Sequence, residues 1–127
     1  MSTYIELREQ AAEEIRAHIG STSADSSHHF VVDHSNYLVE HGAVLLAALR
    51  LWAEPRRMTD RDVRALIAIA SAATLGNIAD QLARSDRPDD LLASVQLEGI
   101  AIAPPRQLHE TLEFARRAFN RAESKLR

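Results

Sequence analysis

The segment that most constrains the fold runs from residue 30 to residue 52 and has the sequence FVVDHSNYLVEHGAVLLAALRLW. Its apolar residues recur at three- and four-residue intervals, so at about 100° per residue they fall on one side of an α-helix. That side comprises Phe30, His34, Tyr37, Leu38, His41, Val44, Leu45, Ala48, Leu49 and Trp52. An amphipathic helix of this length requires other helices to cover its apolar face, which predicts a helical bundle.

Helix boundaries are marked by capping residues and prolines. Thr3 with Glu6 and Thr59 with Asp62 have the spacing of a capping box, which predicts helices that start near residues 4 and 60. Pro55 disfavours helical geometry at the residue before it and has no N–H to donate, so we expect the central helix to end there.

The predicted fold is a single all-α domain, a bundle of four to six helices that spans residues 1–127. Its connections are a loop at 20–27, turns at 55–58 and 85–88, and an irregular connector at 99–105.

Two places deviate from a plain helical pattern. The helix that starts near Asp60 is expected to continue through Ile78, with a bend or break at Gly76. The residues Val95, Leu97, Ile100 and Ile102 favour strand geometry, and they allow at most a minor β-hairpin near 95–103.

Composition excludes several classes of protein. The chain has no cysteine, so it can form neither a disulfide nor a thiolate metal site. Its net charge of −3 gives no sign of a polyanionic partner. The longest weakly polar run, 42–49, is far shorter than the ~20 residues of a membrane span. We therefore expect a cytoplasmic protein without a membrane partner.

The two histidines of the central stripe, His34 and His41, are candidate ligand-binding residues together with Tyr37. Residues seven apart in a helix lie on one face but about 10.5 Å apart along the axis, too far to chelate one metal ion from the same helix. The alternatives are structural histidines that set helix register, a pH-responsive seam, or a pocket for a metal or a small ligand. No cofactor is predicted, and a metal ion remains possible.

The apolar faces at 30–52 and 108–126 exceed what a small bundle can cover, which predicts a homodimer. If two copies of the central helix cross antiparallel about a two-fold axis, His34 of one copy lies near His41 of the other.

The stretch 59–103 resembles a winged helix-turn-helix in outline. It has a first helix, a second helical segment LGNIADQLARS, a turn and a third helical segment PDDLLASVQLEG. A short extended run that corresponds to the wing follows. The resemblance implies a DNA-binding regulator. Asp89 and Asp90 open the helix that would enter the groove, where residues that bind phosphate are usual, so the motif is degenerate.

The C-terminal helix places Arg117, Arg121 and Lys125 on one outward stripe. From residue 106 onward six basic residues stand against three acidic ones, so a nucleic acid or an acidic partner would bind here. The alternative is a solvated charged face.

No catalytic motif is present in the sequence, which favours a protein that is not an enzyme. The leading hypothesis is a homo-oligomerising helical interaction or regulatory protein that binds another macromolecule, with a protein as the expected partner. The degenerate DNA-binding regulator and the pocket formed by His34, Tyr37 and His41 are the alternatives.

Overall fold

The computed structural model describes the backbone of residues 3–22 and 29–125, and within them the side chains of residues 3–17 and 38–118. The described residues form an all-α bundle, as the sequence predicts. Its helices are α1 (Tyr4–Thr22), α2 (His29–Ala53), α3 (Asp60–Ile69), α4 (Ala72–Ala83), α5 (Pro88–Ala101) and α6 (Pro105–Lys125), with a 3₁₀ turn at Glu54–Arg56 between α2 and α3.

The capping box predicted at α3 forms, and at α1 one of the two predicted capping bonds forms. At α3, the amide of Asp62 donates to Thr59 Oγ1 at 3.2 Å, and the amide of Thr59 donates to Asp62 Oδ2 at 2.9 Å. At α1, the amide of Glu6 donates to Thr3 Oγ1 at 3.2 Å. Each bond satisfies a backbone N–H that a helix start leaves without an intrahelical partner.

Two boundaries lie elsewhere than expected. The helix that starts at Asp60 ends at Ile69, and a new one begins at Ala72, so the break is at Ala70 and Ser71 and not at Gly76. Ser71 causes it, because its hydroxyl accepts the amide of Thr74 and caps α4. α1 continues through residues 20–22 of the predicted loop, and residues 23–27 lie outside the described residues.

The minor β-hairpin that the sequence allows at most near 95–103 does not form, because α5 is helical through Ala101. The apolar residues that it buries are Ala93, Leu97, Ile100 and Ala101, spaced as on one face of a helix. Burial of this face overrides the strand preference of Val95, Ile100 and Ile102. The connector to α6 is accordingly shorter than the predicted 99–105.

α2 is the centre of the bundle and contacts each of the other helices. Almost all of its described apolar side chains are buried, including Leu45, Leu49 and Leu51. At Gly42 the neighbours come closest, since a Cβ added there would lie 3.2 Å from Ile15 Cδ1 of α1.

Polar side chains fix the helices around this core. Arg50 of α2 forms ion pairs with Glu14 of α1 at 2.9 Å and with Asp60 of α3 at 3.0 Å. Burial lowers the pKa of its guanidinium, but hydrogen bonds to the two carboxylates outweigh that effect and raise the pKa above its ordinary value. Arg50 thus stays charged and links three helices.

Among the described residues, none of the helices combines the length and the apolar composition that crossing a bilayer requires.

Candidate functional site

The described part of the chain contains a groove bounded by α1, α2 and α5. It consists of two adjoining lobes of about 610 and 300 Å³, which share Glu40, Val44 and Gln96. The larger is the charged lobe, with side chains of α1 along it: Arg8, Glu9, Ala12, Glu13 and Arg16. The smaller is the His41 lobe, which also contains Gly99 and Ile100. Their combined size is in the range of small-molecule sites.

Gln96 lies where the lobes meet and is held by two donors. The hydroxyl of Tyr4 donates to its Oε1 at 2.6 Å, and Arg8 Nη1 donates to the same oxygen at 3.2 Å. Both bonds end on the oxygen, so the amide nitrogen, with its two N–H groups, is available to donate. The hydrogen bonds between described residues include none from this nitrogen.

Tyr4 holds Gln96 in place from the buried side of α1. Its side chain is fully buried, and burial raises the pKa of its hydroxyl to about 12, although the nearby charge of Arg8 acts in the opposite direction. The hydroxyl therefore remains protonated at neutral pH and acts as a donor. Tyr4 and Gln96 are 92 positions apart in the sequence, so no local pattern predicts their contact.

The structure places one of the three predicted ligand-binding residues. His41 is half-buried and lines the smaller lobe. The side chains of His34 and Tyr37 lie outside the described residues. Within the ranges 3–17 and 38–118, no group of three His, Asp or Glu side chains is arranged to hold a metal ion.

A second surface feature, which sequence reasoning missed, is the α5 outer face. We use this name for Pro88, Leu91, Leu92, Val95, Gly99 and Ile102, all of which are exposed. Val95 and Ile102 are 68% and 76% exposed. The signal that could have revealed this face is the distribution of apolar residues around the whole circumference of α5, rather than along one side.

The positions of this face follow a heptad pattern. Pro88, Leu92, Val95, Gly99 and Ile102 are separated by four, three, four and three residues. That is the spacing at which one helix packs along another. In the described part of the chain Val95 and Ile102 are left largely uncovered and Leu92 is partly exposed.

The predicted basic stripe on α6 is described only in part. Arg117 is exposed, whereas the side chains of Arg121 and Lys125 lie outside the described residues. The neighbouring Arg116 has a structural role, since it donates to the carbonyl oxygens of Ile67 and Ala70 at 3.1 and 3.2 Å. It thereby satisfies carbonyls at the end of α3.

The α4–α5 pair has the two helices of the proposed DNA-binding motif but differs where a wing and a recognition surface would be. Residues 95–101 belong to α5 and form no wing. Asp90 is ion-paired with Arg87 at 2.9 Å, and Ser94 is buried, donating to the carbonyl of Ala79 at 2.8 Å. The exposed side of α5 therefore presents apolar side chains, whereas a DNA-binding helix presents hydrogen-bond donors to phosphate at this place.

Comparison with known proteins finds no family, no curated protein and no solved structure that matches this chain.

Proposed function

We propose that this chain is a non-enzymatic, self-associating interaction protein, and that two copies pack together through the α5 outer face. The observation that supports this is the exposed apolar row formed by Leu92, Val95 and Ile102 at heptad spacing. Exposed apolar area is unfavourable at about 25 cal/mol per Å², and contact with a second apolar surface removes it from water.

This interface differs from the one that the sequence suggests. The predicted seams at 30–52 and 108–126 are, in their described parts, buried within the chain itself. In α2 the buried residues include Leu38, Leu45 and Leu49, and in α6 they include Leu108 and Leu112. Apolar surface that still needs a partner is found on α5, which is why we assign self-association to that helix.

The charge of the α5 outer face favours a second copy over a phosphate-bearing partner. Between residues 91 and 102 the only ionisable side chain is Glu98, and α5 contains neither lysine nor arginine. Nucleic acids and anionic membranes are bound through basic residues, which this face lacks. Its apolar heptad row instead suits another copy of the same row.

Light scattering at micromolar concentration tests this proposal. Two copies of the 14.1 kDa chain give a particle of about 28 kDa. Ile102→Glu introduces a charge into the interface and is expected to raise the dimer Kd at least ~10-fold, about 1.4 kcal/mol.

The matched control is Ile69→Glu on α3, because Ile69 and Ile102 are both 76% exposed. This control should leave the particle mass unchanged. A wild-type chain that stays at 14.1 kDa up to about 100 μM, which is a Kd weaker than ~5.5 kcal/mol of association, would contradict the proposal.

A second candidate function is small-ligand binding in the groove, and the observation that favours it is Gln96. Its amide N–H groups lie between an apolar lobe beside His41 and a charged lobe beside Arg8. NMR with a library of small polar fragments tests this function. Binding should shift the side-chain amide of Gln96 and the ring of His41 with the same fragments, and shifts confined to other regions would contradict it.

A further inference from the structure

Gly99 lies on the α5 outer face, where the described part of the chain leaves room for a Cβ. A Cβ added at Gly99 would have no atom within 4 Å, unlike one at Gly42, which would meet Ile15. A glycine within a helix costs about 1 kcal/mol relative to alanine. In the part of the chain that the structure describes, the space over Gly99 is open. Gly99 is the fourth of the five positions in the heptad row on α5.

The heptad row is close to symmetric in position about Val95. Pro88 and Ile102 lie seven residues before and after it, and Leu92 and Gly99 lie three before and four after. In a two-fold antiparallel pair of helices, positions equidistant from the axis face each other. With the axis beside Val95, midway between positions 95 and 96, Leu92 and Gly99 are equally far from it, so Leu92 of each copy lies over Gly99 of the other.

The sizes of these residues are complementary in that register. Leu92 is a large apolar side chain that is partly exposed, and Gly99 leaves a gap with open space above it. Knob-into-hole contact between a large residue and a small one allows the two helices to approach closely. The face is thus complementary to itself, as a two-fold interface requires.

From this we infer that two copies pair antiparallel with Val95 beside the two-fold axis, and that Leu92 of each copy forms part of the wall of the other copy's His41 lobe. Gly99 itself lines that lobe, so a side chain packed on Gly99 lies at the rim of the lobe. The inference rests on the proposed function, and it adds that the groove is completed only in the dimer.

Sedimentation equilibrium of glycine variants tests the register. Gly99→Leu fills the gap and is expected to raise the dimer Kd at least ~10-fold. Gly76→Leu on α4 is the control, because a Cβ there also has no atom within 4 Å, and it should leave the Kd within ~2-fold of wild type. Circular dichroism of both variants should show unchanged helix content.

A size exchange gives the most specific result. The double variant Leu92→Ala with Gly99→Leu again places a large side chain opposite a small one, so it should recover most of the affinity that Gly99→Leu loses. A double variant as weak as the single variant would overturn the antiparallel register.

The His41 lobe has its own readout. On dilution from dimer to monomer the ring resonance of His41 should shift, whereas that of the exposed His109 on α6 should not. If the chain is monomeric, the proposed function fails and the inference with it. A third outcome separates the two proposals. If Ile102→Glu breaks the dimer, but Gly99→Leu leaves its Kd unchanged and the His41 resonance does not shift on dilution, the proposed function stands and this inference is wrong.

Discussion

α2 and α5 have similar composition but opposite surroundings. From Ala43 onward α2, like α5, has apolar residues around most of its circumference, beyond the stripe that marks its first half. α2 contacts every other helix, and nearly all of its described apolar side chains are buried. α5 buries one side and exposes Leu92, Val95 and Ile102 on the other. An apolar circumference therefore predicts a helix that needs cover on all sides, and only the fold shows whether its own chain provides that cover.

The two glycines of these helices show the same contrast. Gly42 of α2 lies where α1 and α6 approach, with Ile15 Cδ1 at 3.2 Å and Phe114 Cε1 at 3.7 Å from an added Cβ. Gly99 of α5 faces open space. The first glycine serves packing within the chain, and we assign the second to packing between chains.

The largest expected effect is on the free energy of unfolding. It tests whether α2 forms the core of the fold while the α5 outer face contributes little to it. Leu49 of α2 is fully buried, so Leu49→Ala should lower the free energy of unfolding by about 3 kcal/mol. Val95→Ala should lower it by about 0.5 kcal/mol or less at protein concentrations where the chain is monomeric. Urea unfolding measures both. Similar losses in the two variants would remove the contrast between the helices.

The next effect concerns how the inner side of α5 is held. Burial raises the pKa of Tyr4 from 10.0 to about 12. The contribution of Tyr4 to the free energy of unfolding is therefore complete below pH 10 and is lost as the pH rises toward 12. The loss should be on the order of 2 kcal/mol. Unfolding measured between pH 9 and 12, with Tyr4→Phe as control, tests it. A decline of the same size in the Tyr4→Phe variant would assign the effect to other groups.

The smallest effects have opposite signs at the two glycines. Gly42→Val should destabilise the fold by about 1 to 2 kcal/mol, because its methyl groups crowd Ile15 and Phe114. Gly99→Ala should stabilise the monomer by up to about 1 kcal/mol, because alanine is a better helix former and has room. Thermal unfolding of dilute protein measures both. Destabilisation by Gly99→Ala would show that its Cβ does meet neighbours.

Local signals predicted much of the fold. The capping box at Thr59 and Asp62 and the prolines at 55, 88 and 105 define helix ends through bonds within a few residues, so they can be located in the sequence. The sequence offers two signals for a helix break, the glycine at 76 and the capping serine at 71. The glycine predicts the break at Gly76, but the structure has it at Ser71. Ser71 caps α4, and Arg116 of α6 binds a carbonyl at the end of α3, so both helix ends at this break are satisfied.

The candidate site depends on contacts that no local pattern contains. Its central bond joins Tyr4 to Gln96, and its lobes are formed by three helices that are distant in sequence. The histidine stripe did direct attention to His41, which lines the groove. The sequence does not predict the α5 outer face, because Val95, Ile100 and Ile102 favour a strand. A strand assigns alternate residues to opposite faces, whereas the helix places Val95 and Ile102 on one face and Ile100 on the other.

Cysteine cross-linking is the most direct test of the claim that α5 meets a second α5 at Val95. The chain has no cysteine, so Val95→Cys introduces a single thiol. If Val95 lies beside the two-fold axis, the two thiols are within reach of each other, and mild oxidation should give a covalent dimer in high yield. Ile69→Cys, at a position exposed on α3, is the control and should remain mostly monomeric. Efficient cross-linking of Val95→Cys alone is the result we predict. Equal or negligible cross-linking of both variants would contradict the account.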